Sequence, residues 1–324
     1  MMNIPDVQHP HVRVLLTTFD GERWLEDQLA SLRAQVRVRV SVVASDDSSS
    51  DRTPAILDAA AKAGRFIVLP KWPERFGKAH RNFMRVIRDT PLDDADHFAL
   101  CDQDDIWLPE KLARAVEVLQ STGADAYGSN VTAFWSHRSP KLLVKSQPQR
   151  RFDYLFESSG PGCSFVFPRA TFIELQRWVA ENFEPLQEIK VHDWLIYAWA
   201  RERGLRWVID KVSLMLYRQH GRNEAGANTG WRAAKRRLRN ILRGRFRLDA
   251  LAIGDIIGMK SEVLERLRRM SLFDRVWLAL HAREGRRSRR DALALGLLFL
   301  VMPKRRPLPP SVFTGADSSL YEGS

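Results

Sequence analysis

The sequence predicts an α/β fold, a doubly wound sheet flanked by helices, continued by a basic helical region. Three observations carry this expectation. Apolar runs of strand length alternate with amphipathic helical stretches through the first third of the chain. Successive runs end in hydroxyls or carboxylates, and in open α/β sheets ligands bind just outside the carboxyl ends of the strands. Beyond about residue 230 the composition turns to arginine-rich helical segments.

The first strand is the β-branched run from Val12 to Leu16, which empties into Thr17, Thr18, Phe19, Asp20 and Gly21. A helix from about Glu22 to Ala34 follows, with Trp24, Leu25, Leu29 and Leu32 on one face. The Val-rich stretch Val38 to Ala44 is the second strand, ending in Ser45-Asp46-Asp47-Ser48-Ser49-Ser50-Asp51. Thr53-Pro54 reads as an N-cap followed by proline at the first helical position, and Gly64 closes that helix. Phe66 to Leu69 is the third strand.

Phe98 to Cys101 is a further buried strand, and it runs into Asp102, Asp104 and Asp105. Pro109 is placed to open a helix carrying Leu112, Val116 and Leu119 at helical spacing. Three carboxylates within four residues repel one another unless a cation sits among them. A hard divalent ion held by one or two carboxylates, with substrate phosphates completing its shell, answers that need. Taken alone, the cluster reads equally as a solvated acidic turn in which Asp105 caps the next helix.

Several segments together resemble family 2 glycosyltransferases of the GT-A fold, in the bacterial rhamnosyltransferase-type branch. They are Thr17-Thr-Phe19-Asp-Gly-Glu-Arg-Trp-Leu, Ser45-Asp-Asp47-Ser-Ser-Ser-Asp, Gly77-Lys-Ala-His-Arg81-Asn82-Phe83 and Asp102-Gln-Asp104-Asp105-Ile-Trp. Gly160-Pro-Gly162-Cys-Ser-Phe, His192-Asp193-Trp194-Leu and Tyr217-Arg-Gln-His220-Gly-Arg-Asn223 continue the match. The segments keep the family's order over roughly residues 12 to 226.

The resemblance implies a Rossmann-like, doubly wound mixed sheet and a set of roles. Thr17 and Phe19 would hold the nucleotide, Asp47 would accept a hydrogen bond from its base, and Arg81 would approach it. Asp104 would ligate a divalent metal, Mn²⁺ or Mg²⁺, bridging the donor diphosphate, with Asp102 nearer the sugar and ribose. Asp105 adds a further acid, so the ligand is open by one position. His220 is placed to reach the metal or diphosphate as a C-terminal histidine does in some GT-A enzymes; a solvent-facing loop histidine is its other reading. Asp193 matches the family's general base, and a plain helix N-cap is its alternative. Two positions depart from the family: Asp20 stands where Asn is common, and Ser48 where Gly is common.

Glycosyl transfer needs these residue types. The departing diphosphate calls for a cation and positive groups. The acceptor hydroxyl must lose a proton as it attacks, so one carboxylate must face it. A single base without a covalent intermediate inverts the anomeric centre. The sequence has no His-Glu-x-x-His pattern, so a zinc hydrolase finds no support.

A length of 324 residues with 44% hydrophobic residues suffices for one large α/β domain and an appendage. The expected division is a transferase domain over 10–230, a basic helical region over 231–306 and a disordered tail over 307–324. Two cysteines fit a reducing cytoplasm, and the first residues lack the features of a signal peptide. Arg232 to Arg247 holds eight basic residues and no acid, interleaved with Leu238, Ile241, Leu242 and Phe246. The apolar run Ala292 to Met302 spans eleven residues, short of the roughly 18–20 that cross a bilayer. These features predict peripheral attachment to an anionic membrane at the inner face of the cytoplasmic membrane, where a glycan or lipid-linked acceptor would be presented. Solvated arginines on an ordinary helical subdomain are the other reading. A net charge of +12 also raises the prospect of a nucleic-acid binder. The charge, however, concentrates beyond residue 230, and acids at the strand ends would repel a phosphate backbone. A metal-dependent phosphatase or nucleotidyltransferase would share the carboxylates, but it leaves the segments around Asp193 and His220 unexplained.

Overall fold

Strand β1 (His11–Thr18) is buried along its whole length, its polar residues His11, Arg13, Thr17 and Thr18 included. Val12, Val14, Leu15 and Leu16 are fully buried, each contributing about 1.5–3 kcal/mol relative to exposure. The computed structural model describes residues 9–220 and 245–302. Gly221–Asn223, most of the stretch from Arg232 to Arg247 and the expected tail lie outside the described residues.

After β1 come α1 (Leu25–Arg33), β2 (Arg39–Asp46), α2 (Thr53–Lys62), β3 (Phe66–Val68) and α3 (Ala79–Asp89). Next are β4 (His97–Asp102), β5 (Ile106–Trp107), α4 (Lys111–Thr122), β6 (Ala126–Ser129), β7 (Val131–Trp135) and β8 (Arg138–Leu143). Then follow β9 (Val166–Pro168), α5 (Arg169–Glu181), α6 (Phe183–Leu186), α7 (His192–Glu202), β10 (Trp207–Asp210) and β11 (Met215–Arg218). Helices α8 (Arg245–Ile256), α9 (Glu262–Arg269), α10 (Leu272–Leu280) and α11 (Arg289–Val301) close the described chain.

The chain divides into two compact units. The first holds the eleven strands found among the described residues. Its main sheet runs β10-β6-β9-β4-β1-β2-β3, parallel except for β9, and a smaller sheet runs β5-β11-β7-β8. Strand order counts down from β3 to β1 and then jumps to β4, so the sheet reverses between β1 and β4. That switch point is where open α/β sheets bind ligands.

Local chemistry modifies two sequence expectations. Thr53 is the first residue of α2 rather than its cap, because its hydroxyl accepts from the Gly21 amide at 2.8 Å. Pro109 lies before Glu110, the N-cap of α4, rather than within the helix. Gly123 ends α4 in the left-handed region, at φ +63°.

The second unit combines 147–158, 182–203 and 228–324, so segments earlier than residue 230 group with the C-terminal helices. Its centre is a buried charge cluster. The Asp153 carboxylate accepts from Tyr197 at 2.9 Å and Arg201 at 3.0 Å, and it pairs with the fully buried Arg287 at 3.3 Å. Ser271 and Asp274 form a capping box at the start of α10, and Ser288 caps α11. Among the described residues no helix is long and apolar enough to cross a membrane.

Candidate active site

At the switch point, Thr17 of β1 lies in register with Asp102 of β4 on one side and Ser45 of β2 on the other. The strand ends are locked together by side chains. Gln103 donates to the Phe19 carbonyl and accepts from the Phe19 amide, both at 2.8 Å. A Cβ on Gly21 would fall 2.2 Å from the Gln103 carboxamide oxygen, so only glycine admits this clamp. The buried Asn82 accepts from the Ser45 hydroxyl at 2.5 Å and donates to the Ser45 carbonyl at 2.8 Å, tying α3 to β2.

The two departures from the family pattern gain a physical meaning. Asp20 has φ +42° and Ser48 φ +59°, so both occupy the left-handed region that Asn and Gly enter most readily. Asp20 tolerates it and uses its carboxylate to accept from the Ser50 amide at 2.8 Å. For Ser48 the conformation costs on the order of 1–2 kcal/mol.

Asp47 is buried, and its two oxygens accept from the amides of Phe76 at 2.6 Å and Gly77 at 2.8 Å. Burial nonetheless raises its pKa above the usual carboxylate value. Arg75 lies 3.9 Å from Asp47 and places its guanidinium 3.7 Å from the centre of the Phe19 ring. Arg75 is absent from the sequence-derived site. Its place depends on how the loop before α3 folds, and no local pattern encodes that. Arg81 sits in the first turn of α3.

The carboxylates follow directly. Asp104 and Asp105 are buried, and Asp102 is half-buried. Asp104 Oδ2 lies 2.6 Å from His220 Nε2, and the His220 ring stacks on Trp24 with centres 3.8 Å apart. The solvent-facing reading of His220 therefore fails. The Arg218 side chain donates to the Asp104 carbonyl at 2.8 Å, and the Arg218 amide donates to Asp105 Oδ1 at 3.1 Å. Asp105 is thus occupied by β11 and does not cap α4. Burial, then the charges of Asp104 and Asp102, push its pKa well above the usual value. Below the cluster, Lys111 lies 3.3 Å over the Trp107 ring, and burial lowers its pKa to about 8.

The site fits a divalent cation. The carboxylates repel one another, the charges of Asp104 and Asp102 both adding to the raised pKa of Asp105, and a hard divalent ion among them would offset that repulsion. Ligand atoms of Asp102, Asp105 and Cys163 lie within 4.8 Å of one another. Burial raises the Cys163 thiol well above its usual value, and a protonated thiol is a poor ligand for a hard ion. The carboxylates are therefore the relevant donors.

A cavity of about 520 Å³ opens here, lined by Asp20, Glu22, Trp24, Asp51 and His220 among others. A separate cavity of about 580 Å³ in the second unit contains none of the motif residues. Asp193 belongs to the second unit, where it is the second residue of α7. Val191 holds the N-cap position, so Asp193 is not a plain cap, and buried Trp194, Leu195, Ala198 and Trp199 pack behind it.

Comparisons with known proteins agree with this architecture. The profile of "Glycosyl transferase family 2" matches residues 13–173. The dTDP-rhamnosyl transferase RfbG of Shigella flexneri is 36% identical over 289 residues, 89% of this chain and 99% of that protein. An uncharacterized glycosyltransferase of Nostoc, alr2836, is 22% identical over 65% of this chain and 66% of its own length. Among solved structures, S. aureus TarS bound to UDP superposes with a TM-score of 0.55 at 13% identity, covering 84% of this chain and 73% of that one. TarS bound to UDP-GlcNAc gives 0.52 at 11% identity, over 90% of each chain. These structures share the GT-A fold. With carboxylates gathered at the switch point of such a sheet and a relative matched over nearly its whole length, the chain belongs to glycosyl transferase family 2.

Proposed function

We propose that the protein transfers rhamnose from dTDP-rhamnose to a glycan or lipid-linked acceptor in cell-envelope polysaccharide synthesis, with inversion at the anomeric carbon. The observation that carries this reading is the convergence of Thr17, Asp102, Asp104 and His220 at the switch point, in a chain 36% identical to a dTDP-rhamnosyl transferase. UDP-linked hexoses are the competing donors.

Thr17, Phe19 and Asp47 hold the nucleotide, with Arg75 closing over Phe19 and Arg81 approaching from α3. Asp104 and Asp102, with His220 beside them, would hold Mn²⁺ or Mg²⁺. When bound, the ion supplies positive charge for the leaving diphosphate. Asp193 takes the proton of the acceptor hydroxyl while that oxygen bonds to the anomeric carbon. The bond to the diphosphate oxygen breaks in the same displacement, and its electron pair leaves with the diphosphate. One displacement with no covalent intermediate inverts the centre.

We place the protein in the cytoplasm at the inner face of the membrane, held peripherally through its basic C-terminal region. A panel of nucleotide sugars titrated by calorimetry with Mn²⁺ tests the donor, and dTDP-rhamnose is expected to bind most tightly. Equal or tighter binding of a UDP-hexose would overturn the donor assignment. Asp193→Asn should leave donor affinity unchanged and lower transfer by roughly 10²–10⁴-fold. Loss of donor binding in that variant would move Asp193 to the donor site.

A further inference from the structure

Exposed apolar side chains are unevenly distributed over the molecule. Of the thirteen large hydrophobic residues that stand exposed among the described residues, eight lie on α10 and α11. On α10 these are Leu272, Phe273, Val276 and Leu280, with Phe273 85% exposed. On α11 they are Leu293, Leu297, Leu300 and Val301, with Leu297 59% exposed. The spacings of four and eight residues on α10, and of four, seven and eight on α11, each trace one helical stripe. The run Ala292 to Met302 therefore divides. Ala292, Leu295, Phe299 and Met302 are buried in the second unit, Leu298 is half-buried, and Leu293, Leu297, Leu300 and Val301 face outward.

The two helices pack on each other, aided by Gly296, where an added Cβ would meet the Ala279 carbonyl at 3.2 Å. The two stripes thus belong to one helical pair.

Charge identifies what covers it. On the preceding helix α9 arginines are paired: Arg266 with Glu262 and with Asp274 of α10, and Arg269 with Asp274. Arg283, between α10 and α11, and Arg289 and Arg290, in the first turn of α11, are exposed, and no ion pair joins them to a carboxylate among the described residues. Directly after α11 the sequence continues Pro303-Lys304-Arg305-Arg306. A second copy of the chain seated on this face would bring these arginines against their counterparts. An anionic bilayer offers both an apolar phase and negative headgroups.

We infer that the outward face of α10 and α11 is a membrane-docking platform. It lies in the plane of an anionic lipid surface, with Phe273 and Leu297 entering the acyl boundary and Arg283, Arg289 and Arg290 binding headgroup phosphates. This rests on the membrane reading above and names the surface that performs it. Docking is in-plane and uses half of α11, in place of insertion of the whole apolar run.

The test uses the full chain with vesicles of phosphatidylcholine alone or mixed with phosphatidylglycerol, alongside calorimetric donor titration and sedimentation velocity. The wild type should bind the mixed vesicles more tightly, with part of the binding lost as salt rises. The double variant Phe273→Asp/Leu297→Asp should weaken vesicle binding at least about tenfold. The pair Arg289→Gln/Arg290→Gln should weaken binding to anionic vesicles about thirtyfold at low salt, leaving neutral-vesicle binding unchanged. Both should retain wild-type donor affinity, which reports that the first unit is folded, and wild-type helical circular dichroism and thermal midpoint, which report the second. Wild-type vesicle binding in the aspartate pair, or no wild-type binding to either vesicle, overturns the platform without touching the transferase reading. A wild-type dimer that the aspartate pair dissolves, with vesicle binding unchanged, assigns the face to self-association and overturns it as well. Failure of the wild type to bind any nucleotide sugar would count against the transferase reading alone.

Discussion

The two ends of β1 and β4 carry the same residue types and use them in opposite ways. At the amino ends, basic side chains are set against acids. His11 donates through its amide to Asp96 at 2.8 Å and shares a hydrogen bond with Ser41 at 2.8 Å. Arg13 donates to Ser41 at 3.1 Å, to the Pro91 carbonyl at 2.6 Å and to Asp93 at 2.9 Å. Arg39 pairs with Asp94. At the carboxyl ends, three acids, Asp102, Asp104 and Asp105, crowd together, and the charges of Asp104 and Asp102 help to push the Asp105 pKa well above the usual value. Opposite charges brought together hold a fold, and like charges gathered at a strand end favour a cationic ligand. Substitutions at the two ends should therefore fail in different assays.

The largest effect is expected at the carboxyl end. Asp104→Asn keeps the shape and removes the charge a hard cation needs, so metal-dependent donor binding should disappear and transfer should fall by about 10³-fold. Thermal unfolding should change little. Full retention of Mn²⁺-dependent binding would break the comparison and move the ligand to Asp102 or Asp105.

At the amino end the reverse is expected. Arg13→Met leaves Ser41, Pro91 and Asp93 without their donor and should cost about 1–3 kcal/mol in urea unfolding. Donor affinity measured below the unfolding transition should match the wild type.

Gly21→Ala sharpens the contrast, because it acts on the carboxyl end by packing alone. The new methyl displaces Gln103 and removes two hydrogen bonds to Phe19, a loss of about 1–2 kcal/mol. Since the clamp orients Phe19 and Asp102 together, weaker donor binding should accompany the lower unfolding midpoint. A midpoint shift without any change in donor affinity would remove Gln103 from the site.

The smallest effect is a pH dependence at the amino end. Burial lowers the pKa of both His11 and His97 below the ordinary 6.5. Below that value the unfolded chain takes up protons that the folded chain resists. Their contribution is therefore present above about pH 6.5 and is lost as pH falls toward the lowered values. Urea midpoints between neutral and mildly acidic pH should show the decline, and His97→Gln should flatten it.

Legibility followed the range of the interactions. Strand and helix positions in the first unit were readable because hydrophobic period is local, as β1, β4 and the Leu112-Val116-Leu119 face show. The acids at the strand ends were readable for the same reason. The roles of Asp105 and Thr53 were not, since each can serve as a local cap and their partners lie elsewhere, Arg218 at 113 residues and Gly21 at 32. Arg75 was missed because its stacking on Phe19 joins two loops that no pattern links.

By itself the sequence determined an α/β sheet, carboxylates at its strand ends and a basic, apolar C-terminal region. Composition and period are properties of neighbouring residues, and they hold whatever the chain packs against. Only the tertiary structure decided that β1 and β4 adjoin at the reversal of strand order, that His220 meets Asp104, and which half of α11 faces outward. Each of these depends on contacts between residues distant in the chain, whose pairing is set by burial of the whole core.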